Sequence, residues 1–449
     1  MATVLEEFAE ILLAARATPS PLLGLHLLDT LGAWHAGART EDTAALRRLA
    51  QTPPGLPSAF GEAALDKLAL RIATVRNTEI DDIHMASCTT PGSVVVPVAL
   101  TLAGALGQPR AAAFARGLAS GYEAMIRLSL AVSGASILYR GVWPTFFAAP
   151  VSAAATASCL LGLDAGQTAD ALAIALNLTS GAPGGPSAPS PRWILLGQAA
   201  RAGVFAALAA AGNYRGDRHL LDGDWLQRTH GIACEKAPLV APREEDGAIA
   251  AVSYKPYCAA KQGTAAIDGF RRLLAGTSPG EIESVRVAVP PAYAGMIGQR
   301  DPGKGRLARI TSAAYQLALA AHRPELLDDV VRPDLSGDPA IAAFMARIEV
   351  VPDPALAAYF PKSYPARVEL GLAGGRKQDV LVTDALGDPS LTLDEAALRA
   401  KYHRLADPVI GRAKAESLAA TALAATSSDA ALAELSRAIE TSEAFGQWL

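Results

Sequence analysis

Apolar residues recur at three- and four-residue spacing over 3–15, 20–37, 62–75, 94–106, 109–132, 146–162, 167–179 and 197–212. That spacing lines one face of a helix and predicts eight helices in the first half of the chain. The stops are clear: Gly107-Gln108-Pro109, Gly162-Leu163-Asp164 and Gly212-Asn213. Asp164 with Gln167 has the spacing of a capping box. The stretch Gly181–Pro191 is too rich in proline and glycine for a helix and predicts a break, either a surface linker or a loop near the cleft, the second favoured by the Arg192-Trp193 that follows it.

After Pro242-Arg243-Glu244-Glu245-Asp246 the pattern changes. Period-two, β-branched stretches predict strands at Ile282–Val289, Ile348–Val351, Ala366–Leu372 and Gln378–Thr383. Helical spacing lies between them at 259–275, 307–321 and 338–346, then returns at Leu393–Arg404 and 410–446. The expectation is a mainly α protein with a smaller α+β domain. Residues 1–243, completed by 395–449, form a large helical domain, and 244–394 form the α+β domain. A cleft between two such domains is where small ligands commonly bind.

The composition fits this picture. Of 449 residues, 51% are hydrophobic and 19% charged, which describes a chain with a large core. The net charge of −4 has no basic block in it, so no nucleic-acid partner is expected. The cysteines (Cys88, Cys159, Cys234, Cys258) and the seven histidines are scattered, with no metal-ligand spacing and no expected metal site. Reduced thiols and an acidic N-terminus without a signal-peptide pattern place the chain in the cytoplasm. Gly141–Leu163 is long and uncharged enough to span a membrane, but its Ala, Ser, Thr and Gly content predicts a closely packed core helix, and no membrane partner is expected.

The densest cluster of reactive side chains is residues 79–97, where Asp81, Asp82 and His84 are followed by Cys88, Thr89, Thr90 and the turn Pro91-Gly92. An imidazole beside two carboxylates is a candidate general base with its tautomer set by Asp81 or Asp82. A solvated acidic pair with a helix cap accounts for the same residues.

In order along the chain, Leu22–Ala36, Asp81-Asp82-Ile83-His84, Gly121-Tyr122-Glu123 with Ile126-Arg127, and Arg140-Gly141 with the Ala-rich run to Leu163 resemble elements of the MmgE/PrpD family. Gly197–Gly203, Lys255-Pro256-Tyr257 and Ser312-Ala313-Ala314-Tyr315 continue the resemblance over nearly the whole chain. It implies a helical domain built from both chain ends, an inserted α+β lid domain, a homodimer, and no metal or organic cofactor. It also implies chemistry that removes a proton next to a carboxylate and then eliminates water, loses CO2 or inverts a centre.

The chain departs from the family at its three histidines. Thr89 and Trp143 stand at two of those positions, and a third falls near Thr264. Neither a threonine nor a tryptophan titrates near neutrality. The expected catalytic residues are therefore Asp82, His84, Lys255, Lys261 and Tyr315. Asp81, Cys88, Thr89, Arg140, Trp143, Arg192, Tyr257 and Gln262 are the expected substrate-binding residues. Lys255 is expected to hold a substrate carboxylate. The expected function is a cofactor-independent lyase or isomerase acting on a small organic acid. The alternative is a non-catalytic or regulatory homologue that binds such an acid.

Overall fold

The computed structural model describes residues 2–14, 19–50, 64–107, 110–181, 192–300, 303 and 305–441. The expected loop at 181–191 lies outside these residues except for Gly181, as do Gln108 and Pro109 of one helix stop. The chain divides into two compact units, Met1–Val252 with Asp394–Leu449, and Ser253–Leu393. It is mainly helical, with strands confined to short pieces and one four-stranded sheet.

In the first unit the apolar periodicity becomes the helices Val4–Leu13, Pro21–Gly37, Ala64–Arg76, Gly92–Ala105, Ala111–Ala131, Pro144–Leu161, Ala165–Leu176 and Arg192–Ala211. Asp164 accepts the backbone N–H of Gln167, whose side chain returns the bond, so the capping box forms as its spacing predicts. Sequence spacing left out Glu41–Ala50 and also Trp225–His230, the latter too brief to show a period.

Pro144–Leu161 is the axis of this unit. It is buried along nearly its whole length and packs against Ala111–Ala131 and Arg192–Ala211. Its small side chains let neighbouring backbones come close. A Cβ added at Gly203 would lie 2.0 Å from the carbonyl oxygen of Pro150. Backbone cannot yield there, so Gly203→Ala is expected to destabilise the fold by roughly 1–3 kcal/mol or more. A thermal melt checks this, and an unchanged midpoint would contradict the close packing.

The C-terminal helices Glu395–Ile410, Arg412–Ala424 and Asp429–Thr441 belong to the same unit. Glu395–Ile410 packs on Pro21–Gly37. Lys401 there donates to Asp29 at 2.5 Å and to the carbonyl of Ile80 at 2.9 Å, all three buried. Arg127 donates to Glu123 at 2.8 Å and to the carbonyls of Pro238 and Ala241, so the Gly-Tyr-Glu…Arg motif anchors the chain that follows Lys236.

In the second unit the strands lie in the order Ile348–Pro352, Ile282–Val289, Ala366–Leu372, Lys377–Val382. The first pair is parallel and the other two are antiparallel. Ala366, Val368, Leu370 and Leu372 alternate into the core, as a half-buried strand requires. The helix Lys261–Leu274 packs over this face, where Gly269 meets Val368, Val380 and Val382.

Candidate functional site

The candidate residues fall into one group in each unit. In the helical unit, the chain leaves Ala64–Arg76 and reaches Gly92–Ala105 through a tight loop. Glu79 and Cys88 take left-handed backbone conformations, with φ of 59° and 55°. The N–H of His84 donates to the carbonyl of Thr89 at 2.8 Å, and the N–H of Thr89 returns the bond at 3.2 Å. This reciprocal bridge holds the loop shut.

Asp82 is fully buried and accepts three bonds: from the Gly92 N–H at 2.9 Å, the Tyr122 hydroxyl at 2.6 Å and His26 Nδ1 at 3.0 Å. A carboxylate at the start of a helix can take up several donors at once, and here three converge on it. Asp82 therefore latches the loop to two helices. Gly92 is glycine because a Cβ would sit within 2.8 Å of Thr30, Asp82 and Tyr122 side-chain oxygens.

His84 does not take its orientation from Asp81 or Asp82, which corrects the sequence-based expectation. Its Nδ1 lies 2.8 Å from the Ser87 hydroxyl and accepts the Ser87 backbone N–H at 3.2 Å. A backbone N–H can only donate, so Nδ1 carries the lone pair and the ring proton sits on Nε2. Burial lowers the His84 pKa to about 4. At neutral pH His84 is an uncharged ring offering Nε2–H, a hydrogen-bond donor with little appetite for a proton. Thr89 is fully buried, and its hydroxyl lies 2.7 Å from that of Ser87. It extends the same chain of hydroxyls.

Arg76, which sequence spacing did not single out, gathers the rest of this group. It is only 6% exposed. Its Nη1 pairs with Glu79 at 3.0 Å and Asp81 at 3.3 Å. Burial opposes its charge, Asp81 and Glu79 outweigh burial, and its pKa is raised. Its guanidinium carbon lies 5.5 Å from the ring centre of Trp143 and 5.2 Å from that of Trp193. Arg192 stacks on Trp193 at 5.6 Å, and burial lowers its pKa. Acidic residues three and five positions after Arg76 were the only local signal; the indoles come from elsewhere in the chain. Cys88 is buried, and Arg140 is exposed and donates to the Gly231 carbonyl at 3.1 Å, which ties down a surface turn.

In the second unit Lys255 and Lys261 are each 2% exposed, and Gln262 is buried. Lys261 pairs with Asp388, whose second oxygen accepts the Ala385 N–H at 2.8 Å. Burial lowers the Lys261 pKa; Asp388 opposes this and the charge of Lys255 reinforces it. The two ammonium groups therefore lie within electrostatic reach of each other. The Tyr257 hydroxyl donates to Asp268 at 2.8 Å and accepts from Arg271 at 2.7 Å. Burial and Asp268 push its pKa up, so it holds its proton. The fully buried Tyr315 accepts the Leu335 N–H at 3.2 Å and so anchors backbone.

Among the described residues, no three His, Cys, Asp or Glu side chains gather in a metal-binding group. A cavity of about 680 Å³ in the helical unit is lined by Arg39, Arg47, Ile410 and Lys414 among others, and none of the candidate residues lines it. Residues 23–230 match the MmgE/PrpD N-terminal domain, and residues 257–425 match the MmgE/PrpD C-terminal domain. No curated protein matches the chain.

Proposed function

The chain belongs to the MmgE/PrpD family, whose members are generally lyase-type enzymes, and from that premise we propose a cofactor-independent lyase or isomerase that removes a proton next to a carboxylate of a small organic acid. The observation that supports this best is the buried lysine pair. Two ammonium groups held out of water near each other cannot both keep their charge cheaply. The one whose pKa is lowered, Lys261, is shifted toward the amine form that can take a proton.

We assign Lys261 as the base and Lys255 as the cation that holds the substrate carboxylate. The C–H bond next to that carboxylate breaks, its proton passes to Lys261 Nζ, and its electron pair moves toward the carboxylate. Lys255 stabilises the negative charge that builds there. Asp388 keeps Lys261 in place and steadies the ammonium once it forms. The electron pair then expels a neighbouring group or takes a proton back. We take the enzyme to be a cytoplasmic homodimer working without metal or organic cofactor.

Solvent exchange tests the proposal. The protein is incubated in D2O with small hydroxy- and unsaturated mono-, di- and tricarboxylates, and NMR follows the hydrogens next to each carboxylate. Exchange or product is expected for at least one acid. Lys255→Ala is expected to reduce that rate by roughly 10²-fold, since losing a desolvated charge contact costs several kcal/mol. A folded Lys255→Ala variant with unchanged exchange removes Lys255 from the reaction. Saturable binding without exchange of any acid overturns catalysis in favour of a carboxylate-binding homologue. The satisfied hydroxyl of Thr89 and the weakly basic His84 favour that second reading.

A further inference from the structure

We propose that Arg76, Trp143 and Trp193 form a subsite for a single carboxylate carried on a flat, apolar skeleton. This goes beyond the proposed reaction: it concerns binding by the helical unit and is tested without turnover.

Arg76 spends one nitrogen on both of its protein partners. Nη1 meets Glu79 and Asp81, while the buried Nε has no hydrogen-bond partner. An unsatisfied buried donor is destabilising, more so on a charged group, and a ligand oxygen at that place recovers the loss. Nε belongs to the edge of the guanidinium that grips a carboxylate with two parallel bonds.

The group is also held in place. Trp143 and Trp193 stand 5.8 Å apart at 78° to each other, and the guanidinium carbon lies near both rings. Cation–π attraction from two indoles and ion pairs from two carboxylates fix the arginine before any ligand arrives. Little side-chain freedom is then lost on binding.

The charges select for a single carboxylate. Arg76 and Arg192 carry two positive charges, and Glu79 and Asp81 carry two negative ones; Arg192 feels both Glu79 and Arg76. These four charges cancel. One carboxylate gains the Nε edge directly, while a second or third finds no unmatched cation in the group. Trp143 is half-buried, so part of its indole is available to a flat skeleton beside the carboxylate.

Phenylacetate and propane-1,2,3-tricarboxylate are the probes, titrated into the full chain by calorimetry at pH 7.5. One-to-one binding of phenylacetate is expected, at least roughly ten-fold tighter than the tricarboxylate. Arg76→Lys keeps a charge for Glu79 and Asp81 but loses the fork, and is expected to weaken phenylacetate by about ten-fold or more. Trp143→Leu, a half-buried change, is expected to weaken it by a similar factor of about ten. Circular dichroism establishes that each variant folds. No saturable phenylacetate binding, tighter binding of the tricarboxylate, or wild-type affinity in folded Arg76→Lys overturns the proposal. If Arg76→Lys does not fold, unchanged affinity in Trp143→Leu overturns it. Failure here leaves the exchange experiment standing, and failure of that experiment leaves this one standing.

Discussion

Lys261→Gln is expected to lower α-hydrogen exchange by roughly 10³-fold, the central value for loss of a positioned general base. Glutamine keeps much of the length and can still donate to Asp388, so the packing around the helix Lys261–Leu274 is disturbed as little as the site allows. The effect should appear in the rate at saturating acid and much less in the affinity, because Lys255 still holds the carboxylate. Asp388→Asn is the companion. It removes the charge that opposes the lowering of the Lys261 pKa, so that pKa falls further and the acid limb of the pH–rate profile moves to lower pH. A Lys261→Gln enzyme that exchanges at the wild-type rate would take the base role away from this residue.

The largest stability effect is expected in acid. His35 and His84 are both buried, and burial lowers each from 6.5 to about 4. A base whose folded pKa is depressed stabilises the fold above its unfolded value, near 6.5. That contribution is lost as pH falls through about 4, because the unfolded chain takes up the protons first. Each histidine is worth roughly 3 kcal/mol over this window. Denaturant melts at a series of pH values from 7 to 4 should show the fall. Carboxylates titrate in the same range, so the informative quantity is the difference from His84→Asn, whose fall should be shallower by roughly 3 kcal/mol. An identical slope in that variant would place the titrating group elsewhere.

The helices and strands were legible because their signal is local. Ile282–Val289 shows its alternation within eight residues, and Asp164 finds its capping partner three residues on. The site was legible only as a neighbourhood. The expectation that a carboxylate orients His84 followed from adjacency in the chain, whereas the partner is Ser87, on the far side of a tight loop. His26 and Tyr122, which hold Asp82, are 56 and 40 residues away, and Asp388 is 127 residues from Lys261. Spacing rules describe one helix face or one strand and carry no information about such pairs. Arg76 was missed for the same reason: at the end of an apolar helix it resembles an ordinary C-terminal cation, and only Trp143 and Trp193 make it otherwise.

The contact between Asp29 and Lys401 orders events during synthesis. The two residues are 372 positions apart, and both are buried. Asp29 is made 372 residues before its cation, an interval of roughly 20–75 s at typical elongation rates. The residues of the second unit, Ser253–Leu393, are all made within that wait. Through that interval the newborn helical unit carries a carboxylate in what will become its interior, and its cation arrives only with the helix Glu395–Ile410.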